Sequence, residues 1–202
     1  MKKLLIQSIK QTLLWTILLG CVYPLVITVI AQLAFPNQAD GNLIMRNGKI
    51  SGSEWIAQQF QTPRYFWPRP SAGSYATVPS GSSNYGPTSK KLQDAVTGYA
   101  AALCAAHKLP ADAPVPADLI YTSASGLDPH ISPEAARFQI ARVASARNMS
   151  AEQVTALVEK FVEPPQYGFL GEARVNVLKL NLALDELKAP VIEPAVTSPE
   201  HS

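Results

Sequence analysis

Three histidines, His107, His130 and His201, set the first limit on the chemistry this chain can perform. Hydrolysis needs a nucleophile with a base in reach. Serines are plentiful, but no G-x-S-x-G elbow occurs. The stretch 123–130 supplies all three roles, with Ser123 or Ser125 as nucleophile, His130 as base and Asp128 as its orienting acid. A membrane-anchored exported serine hydrolase using Ser125, His130 and Asp128 is therefore one alternative. Asp-Pro followed by Ser-Pro is more simply a turn that feeds a helix cap. Cys104 and His107 stand one helical turn apart, two ligands where zinc takes four. A histidine at a helix C-terminus is also favoured by the dipole alone. No metal site and no cofactor of the chain's own is expected. The run 80–87 (SGSSNYGP) has Gly-rich turns that can offer N–H groups to an anion. It lacks the Gly-Lys-Ser/Thr ending of a P-loop and the order G-x-G-x-x-G, so a structural turn-rich loop is the simpler reading.

Charge placement tells where these residues sit. Mean hydropathy is only +0.05, yet no charged residue occurs between Lys10 and Asp40. Residues 13–35 are almost wholly apolar, and as a helix they reach about 35 Å against a hydrocarbon core of about 30 Å. Lys2, Lys3, Lys10 and the α-amino group precede this span, and no Lys or Arg follows until Arg46. The positive-inside rule then predicts a single pass through a bacterial inner membrane, N-terminus cytoplasmic, the rest periplasmic. A cleaved signal peptide has a shorter apolar core and an A-x-A end, which 31–34 (AQLA) matches poorly. Three of the 17 basic residues precede the span, leaving 14 against 15 acids. That near-neutral balance offers no basic track for nucleic acid and no cation funnel. Cys21 lies in the span and Cys104 beyond it, so no disulfide is expected.

The span carries a pattern of its own. Thr16, Gly20, Pro24, Thr28 and Gln32 recur every four residues and form one ridge of small or polar groups. Membrane helices associate through such residues. Pro24 interrupts a backbone bond that a neighbouring helix can help satisfy. Besides lipid, a membrane-embedded partner is therefore expected.

Past the span, the expected organisation is a small α+β domain over 36–188 and a disordered tail over 189–202, after a cytoplasmic segment 1–12 and the span 13–35. Apolar arms around Asn47-Gly48 predict a hairpin over 42–50. Ser51 and Glu54 have capping-box spacing for a short helix over 54–60. Residues 62–89 turn abruptly to Pro, Gly, Ser, Tyr and Asn and read as a long functional loop whose aromatics argue against disorder. Helices are predicted over 90–108, 133–147 and 151–162. The last two are opened by Ser132-Pro133 and by Ser150 with Gln153. Short strands are predicted over 119–122 and 174–180, with a final turn or two of helix over 181–187.

Residues 122–147 (TSASGLDPHISPEAARFQIARVASAR) closely resemble the signature of the C subunit of the Kdp potassium-transporting P-type ATPase. The resemblance extends to 20–24 (GCVYP) in the span, to Phe66 with 69–72 (RPSA), and to 84–87 (NYGP). It continues through 168–171 (GFLG), 174–178 (RVNVL) and 181–185 (NLALD). This chain departs from the family pattern at Ser82, at Trp67-Pro68 and at Ala173. The resemblance implies an accessory subunit of a high-affinity ATP-driven K⁺ importer, stabilising assembly and assisting the ATPase subunit. Its partners would be a channel-like K⁺-binding subunit and a P-type ATPase subunit. ATP, Mg²⁺ and the transported K⁺ would belong to the complex. The resemblance also implies a catalytic chaperone that raises the ATP affinity of the ATPase subunit. Asp-Lys-Thr-Gly-Thr and Thr-Val-Gly-Tyr-Gly are both missing from the sequence, so neither phosphorylation nor ion selection is expected of this chain. The ridge residues are candidates for membrane packing. Arg69, Ser71, Asn84, Gly86, Gly126, Asp128 and His130, on the two signature loops, are candidates for partner contact.

Overall fold

An uncharged stretch in lipid must satisfy its backbone internally, and a lone segment can do so only as a helix. The computed structural model describes residues 1–46 and 48–187, and its first element is one continuous rod, Lys2–Ala34. The rod consists of α1 (Lys2–Ile17), a π-helical segment (Leu18–Val22) and α2 (Tyr23–Ala34). It is long and apolar enough to cross a membrane, and none of it is buried within the chain. Pro24 accounts for the π segment. Lacking an N–H, it cannot bond the carbonyl four residues back. The wider turn ahead of it sets the Tyr23 N–H on the Leu18 carbonyl. Phe35, at φ −140° and ψ 56°, ends the rod before Pro36.

A single turn, α3 (Pro36–Ala39), leads to an antiparallel hairpin of β1 (Leu43–Arg46) and β2 (Lys49–Ser53), with Arg46 opposite Lys49. Gly48 supplies positive φ (+75°) in the turn. Asn47, the other expected turn residue, lies outside the described residues, as does the tail 189–202. The helix expected over 54–60 does not form. Ser51 and Ser53 belong to β2, and the Ser53 hydroxyl donates to the Gly41 carbonyl at 2.7 Å. The Glu54 N–H goes to the Asn42 carbonyl. The groups that would cap a helix are spent on the hairpin.

The chain divides between Trp55 and Ile56 into two compact units. In the second, no helix or strand forms among the described residues 56–89, yet Phe66 from that segment is fully buried. Helix α4 (Lys90–His107) stops at Lys108 in the left-handed region. The strand expected over 119–122 is replaced by a 3₁₀ turn (Ala117–Leu119) after Pro116. Asp118 from this turn accepts the Ser132 N–H at 2.7 Å. Strand β3 (His130–Ile131) runs into α5 (Pro133–Arg147), whose N-cap Ser132 accepts the Ala135 N–H. Helix α6 (Ala151–Lys160) opens on the reciprocal Ser150–Gln153 capping box and gives way to β4 (Val162–Glu163).

Strand β5 (Arg174–Asn176) is shorter than the alternation suggested, because Asn176 caps α7 (Val177–Glu186) by accepting the Lys179 N–H. Val177, Leu180, Asn181 and Leu184 then follow the helical period and are buried. The sheet is antiparallel in the order β3–β5–β4, with Val175 facing both Ile131 and Val162. Val143, Val154, Val158, Val175, Leu180 and Leu184 are fully buried and form the centre of the core with Phe66. The fold is one apolar N-terminal helix followed by a small α+β domain.

Candidate functional site

Polar side chains of α5 and α7 hold the irregular segment 62–89 in place. Gln139 accepts the Trp67 N–H at 2.7 Å and donates to the Trp67 carbonyl at 3.1 Å. Asn181 does the same for Phe66, at 2.8 and 2.9 Å. Arg142 donates to the carbonyls of Pro63 and Tyr65 and to Gln139 Oε1, with its guanidinium 4.1 Å from the Trp67 ring centre. Arg147 donates to the Arg64 carbonyl and pairs with Asp185 at 2.7 Å. A loop without ladder bonds thus has its backbone satisfied by side chains, as burial requires. Sequence reasoning missed this network. Its signal was a glutamine and an arginine, Gln139 and Arg142, on the buried face of a helix otherwise lined by Ala135, Ala136, Ile140 and Val143.

His107 belongs to the same network. Its Nε2 accepts from Arg142 Nε at 3.1 Å, and its ring stacks on Phe138 at 4.5 Å. Burial, with the Arg142 charge beside it, pushes its pKa down to about 4. Burial also lowers Arg142, to about 10, which leaves it charged at neutral pH. His107 is a neutral acceptor for a buried cation, and Cys104 beside it is a core residue.

The two signature loops meet. Ser71 Oγ accepts the Tyr75 N–H at 2.9 Å, Tyr75 Oη donates to the Arg69 carbonyl, and the Ser123 N–H donates to the Pro70 carbonyl. Burial, with Tyr99 nearby, pushes the Tyr75 phenol up to about 12. Gly126 (φ +71°) is where the loops come closest. A Cβ there would stand 2.9 Å from the Gly81 carbonyl oxygen and 3.2 Å from Ser71 Oγ. Arg69 reaches across to Asp128 at 3.2 Å. Asp128 also accepts the His130 N–H at 3.0 Å, and the His130 ring lies 3.7 Å from it. Burial alone would raise the Asp128 carboxyl, but His130 and the Arg69 guanidinium outweigh it and hold it below its usual value.

Arg69, Ser71, Gly126, Asp128 and His130 are therefore brought together. Gly126 is buried, so it sets the loop approach and presents no surface. Asn84 and Gly86 are exposed on the neighbouring turn. Ser71 and 80–83 line a cavity of about 550 Å³ with Tyr85 and Tyr99. Arg69, Asp128 and His130 line a polar cleft of about 330 Å³.

This geometry describes a turn. Ser125 Oγ accepts the Leu127 N–H at 3.1 Å, and His130 Nε2 faces the Asn176 amide at 3.5 Å. Asp128 is engaged by Arg69. Of the three residues of the hydrolase alternative, Ser125 and Asp128 hold the loop's own backbone and a neighbouring cation, and the His130 ring lies between Asp128 and Asn176.

In the N-terminal unit, Thr28 Oγ1 donates to the Pro24 carbonyl at 2.8 Å, and Gln32 Nε2 donates to Asp40 at 3.2 Å. Beyond its own stretch of helix backbone, nothing lies within 4 Å of a Cβ built on Gly20. Thr16, Gly20, Pro24, Thr28 and Gln32 are all exposed on the surface of the rod.

The family described as "KdpC: K+-transporting ATPase, c chain" matches residues 5–186. A protein of Methylococcus capsulatus named potassium-transporting ATPase KdpC subunit is 53% identical over 185 residues, which cover 90% of this chain and 96% of that one. Proteins of the same name from Dechloromonas aromatica and Polaromonas naphthalenivorans are 50% and 52% identical, over 93% and 96% of this chain and 99% and 100% of theirs. With matches running from the apolar rod through α7, the chain belongs to the KdpC family, the c chain of K⁺-transporting ATPases.

Proposed function

We propose that this chain is the accessory subunit of an ATP-driven K⁺ importer, anchored by its one apolar helix and assembled with a channel-like subunit and a P-type ATPase subunit. The observation that carries this reading is the family match over 5–186, which includes the rod and both signature loops. The rod packs on the channel-like subunit through Thr16, Gly20, Pro24, Thr28 and Gln32, with lipid around its other faces. The α+β domain stands on the outer face of the membrane, over the K⁺ entrance. There the loops that carry Arg69, Ser71, Asn84, Gly86, Asp128 and His130 form the contact surface, with Gly126 setting their approach. ATP and Mg²⁺ are handled by the ATPase subunit and K⁺ by the channel-like one. This chain stabilises the assembly and influences ATP affinity through it, without touching nucleotide.

Two measurements test the reading. The tagged full chain, extracted in detergent, should bring two large membrane proteins with it in fixed ratio; recovery of the chain alone overturns the subunit role. Alkaline phosphatase fused to the C-terminus should be active, because it folds only outside the cytoplasm. An inactive fusion reverses the orientation and restores direct contact with ATP.

A further inference from the structure

Between β4 and β5 the chain makes a tight turn whose tip stands clear of the domain. Tyr167 and Phe169 are 81% and 76% exposed, and Leu170 beside them is 50% exposed. Nothing lies within 4 Å of a Cβ built on Gly168 or Gly171. The backbone is nonetheless fixed. Gln166 and Leu170 exchange both N–H···O bonds at 2.9 Å, and the Gly168 N–H donates to the Pro165 carbonyl at 2.9 Å. Tyr167 sits at φ +55°, followed by Gly168 at +83°, with Gly171 at +79°. An aromatic residue in the left-handed region is uncommon and costs conformational energy. The turn therefore holds two aromatic rings and a leucine in water on a preformed frame, an arrangement that lowers the ordering cost of docking.

Charge indicates what covers the tip. Residues 164–171 (PPQYGFLG) carry no charge. At its base, Arg174 pairs with Glu163 at 3.0 Å, and Lys179 Nζ lies 4.0 Å from the same carboxylate. Both cations are thus matched to an acid, and Glu172 adds a further negative charge next to the tip. Anionic lipid is drawn by clustered unmatched Lys and Arg, and the base of this turn is the reverse. A neutral apolar pocket in a protein suits it. Exposed Tyr and Phe anchors that seat in such pockets carry much of the binding energy of an interface.

We propose that the turn 165–171 is a preformed docking knob whose Tyr167, Phe169 and Leu170 seat in an apolar pocket on the outer face of another subunit of the transport complex. The proposal rests on the subunit reading above and names a contact outside the two signature loops.

The test places a photoreactive side chain, Phe169→p-benzoylphenylalanine, in the full chain expressed with the rest of the complex, with Leu109→p-benzoylphenylalanine as control. Illumination should yield one adduct from position 169, joined to a co-purifying transport subunit and missing from the control. Separately, the double variant Tyr167→Ser/Phe169→Ser should melt at the wild-type temperature and bring down its partners about tenfold less efficiently or worse. An adduct with lipid or with a second copy of this chain, no adduct, or normal assembly of the double variant each overturns the knob. If the wild-type chain itself recovers no transport subunits, the subunit reading has failed; if it does and the tip is inert, only the knob has.

Discussion

The carboxamide of Gln139 closes a two-way bond with the peptide groups of Trp67, accepting from its N–H at 2.7 Å and donating to its carbonyl at 3.1 Å. Gln139 is fully buried and Trp67 half-buried, so water is a poor substitute for the bonds between them. Replacing it by Ala strands both, together with an Arg142 N–H that reaches the same oxygen at 2.7 Å. Gln139→Ala should cost about 2–4 kcal/mol, since each buried orphan costs about 1–3 kcal/mol and the loop relaxes in part. Denaturant unfolding followed at the tryptophans checks this, and a loss below about 1 kcal/mol would mean the clamp is slack.

Gly126 has a different weakness. Its φ of +71° already disfavours any side chain, and a methyl group there meets the Gly81 carbonyl at 2.9 Å. Gly126→Ala should destabilise by about 2 kcal/mol or more and separate the loops that carry Ser71 and Asp128. Gly86→Ala, in open space at ordinary φ, should change little. Comparing the two by thermal melting and by recovery of the complex separates loop approach from loop surface.

Acid should weaken the second unit through His107. The unfolded chain takes up a proton there below about pH 6.5, whereas the folded chain waits until about pH 4. Between these values the unfolded state holds more protons, so stability falls as pH falls. Above pH 6.5 the contribution is complete and flat. Melting temperatures between pH 7.5 and 4 should decline across this window. His107→Gln, which keeps an acceptor for Arg142 without a proton to gain, should flatten the decline. Asp128, also held below its usual value, adds a loss of the same sign at lower pH.

For the membrane helix, Gly20→Leu with Thr28→Leu should leave insertion intact and weaken assembly. A Cβ at Gly20 meets nothing beyond its own helix backbone, so the added side chain burdens chiefly a neighbour that approaches closely. A loss of about tenfold in complex recovered from detergent is expected, in line with the 1–2 kcal/mol of helix contacts in membranes. Undiminished recovery would remove the ridge from the interface.

Sequence made the anchor, the helices and their caps legible because each rests on local chemistry. The uncharged gap, Ser132-Pro133 and the Ser150–Gln153 pair all act within a few residues of themselves. It misled where a side chain had two uses. Ser51 and Glu54 have helix-cap spacing, but the hairpin claims Glu54's N–H and sets Ser51 in its second strand. The alternation of 174–180 hid an N-cap, Asn176, inside an apparent strand. Of the contact candidates, Arg69, Ser71, Asp128 and His130 do converge, while Gly126 proved to be a spacing residue under them. The clamps from Gln139, Arg142 and Asn181 were not legible, since each spans many tens of residues and no local pattern records such a pairing.

Those clamps take hold mainly of peptide groups, although Arg142 also lies over the Trp67 ring. Gln139 bonds the main chain of Trp67, Asn181 that of Phe66, and Arg142 the carbonyls of Pro63 and Tyr65. The course of the loop is therefore written in the helices behind it, while its outward side chains stay open to exchange. Such a scaffold lets the outer surface be retailored to a changed neighbour while the interior is left as it was.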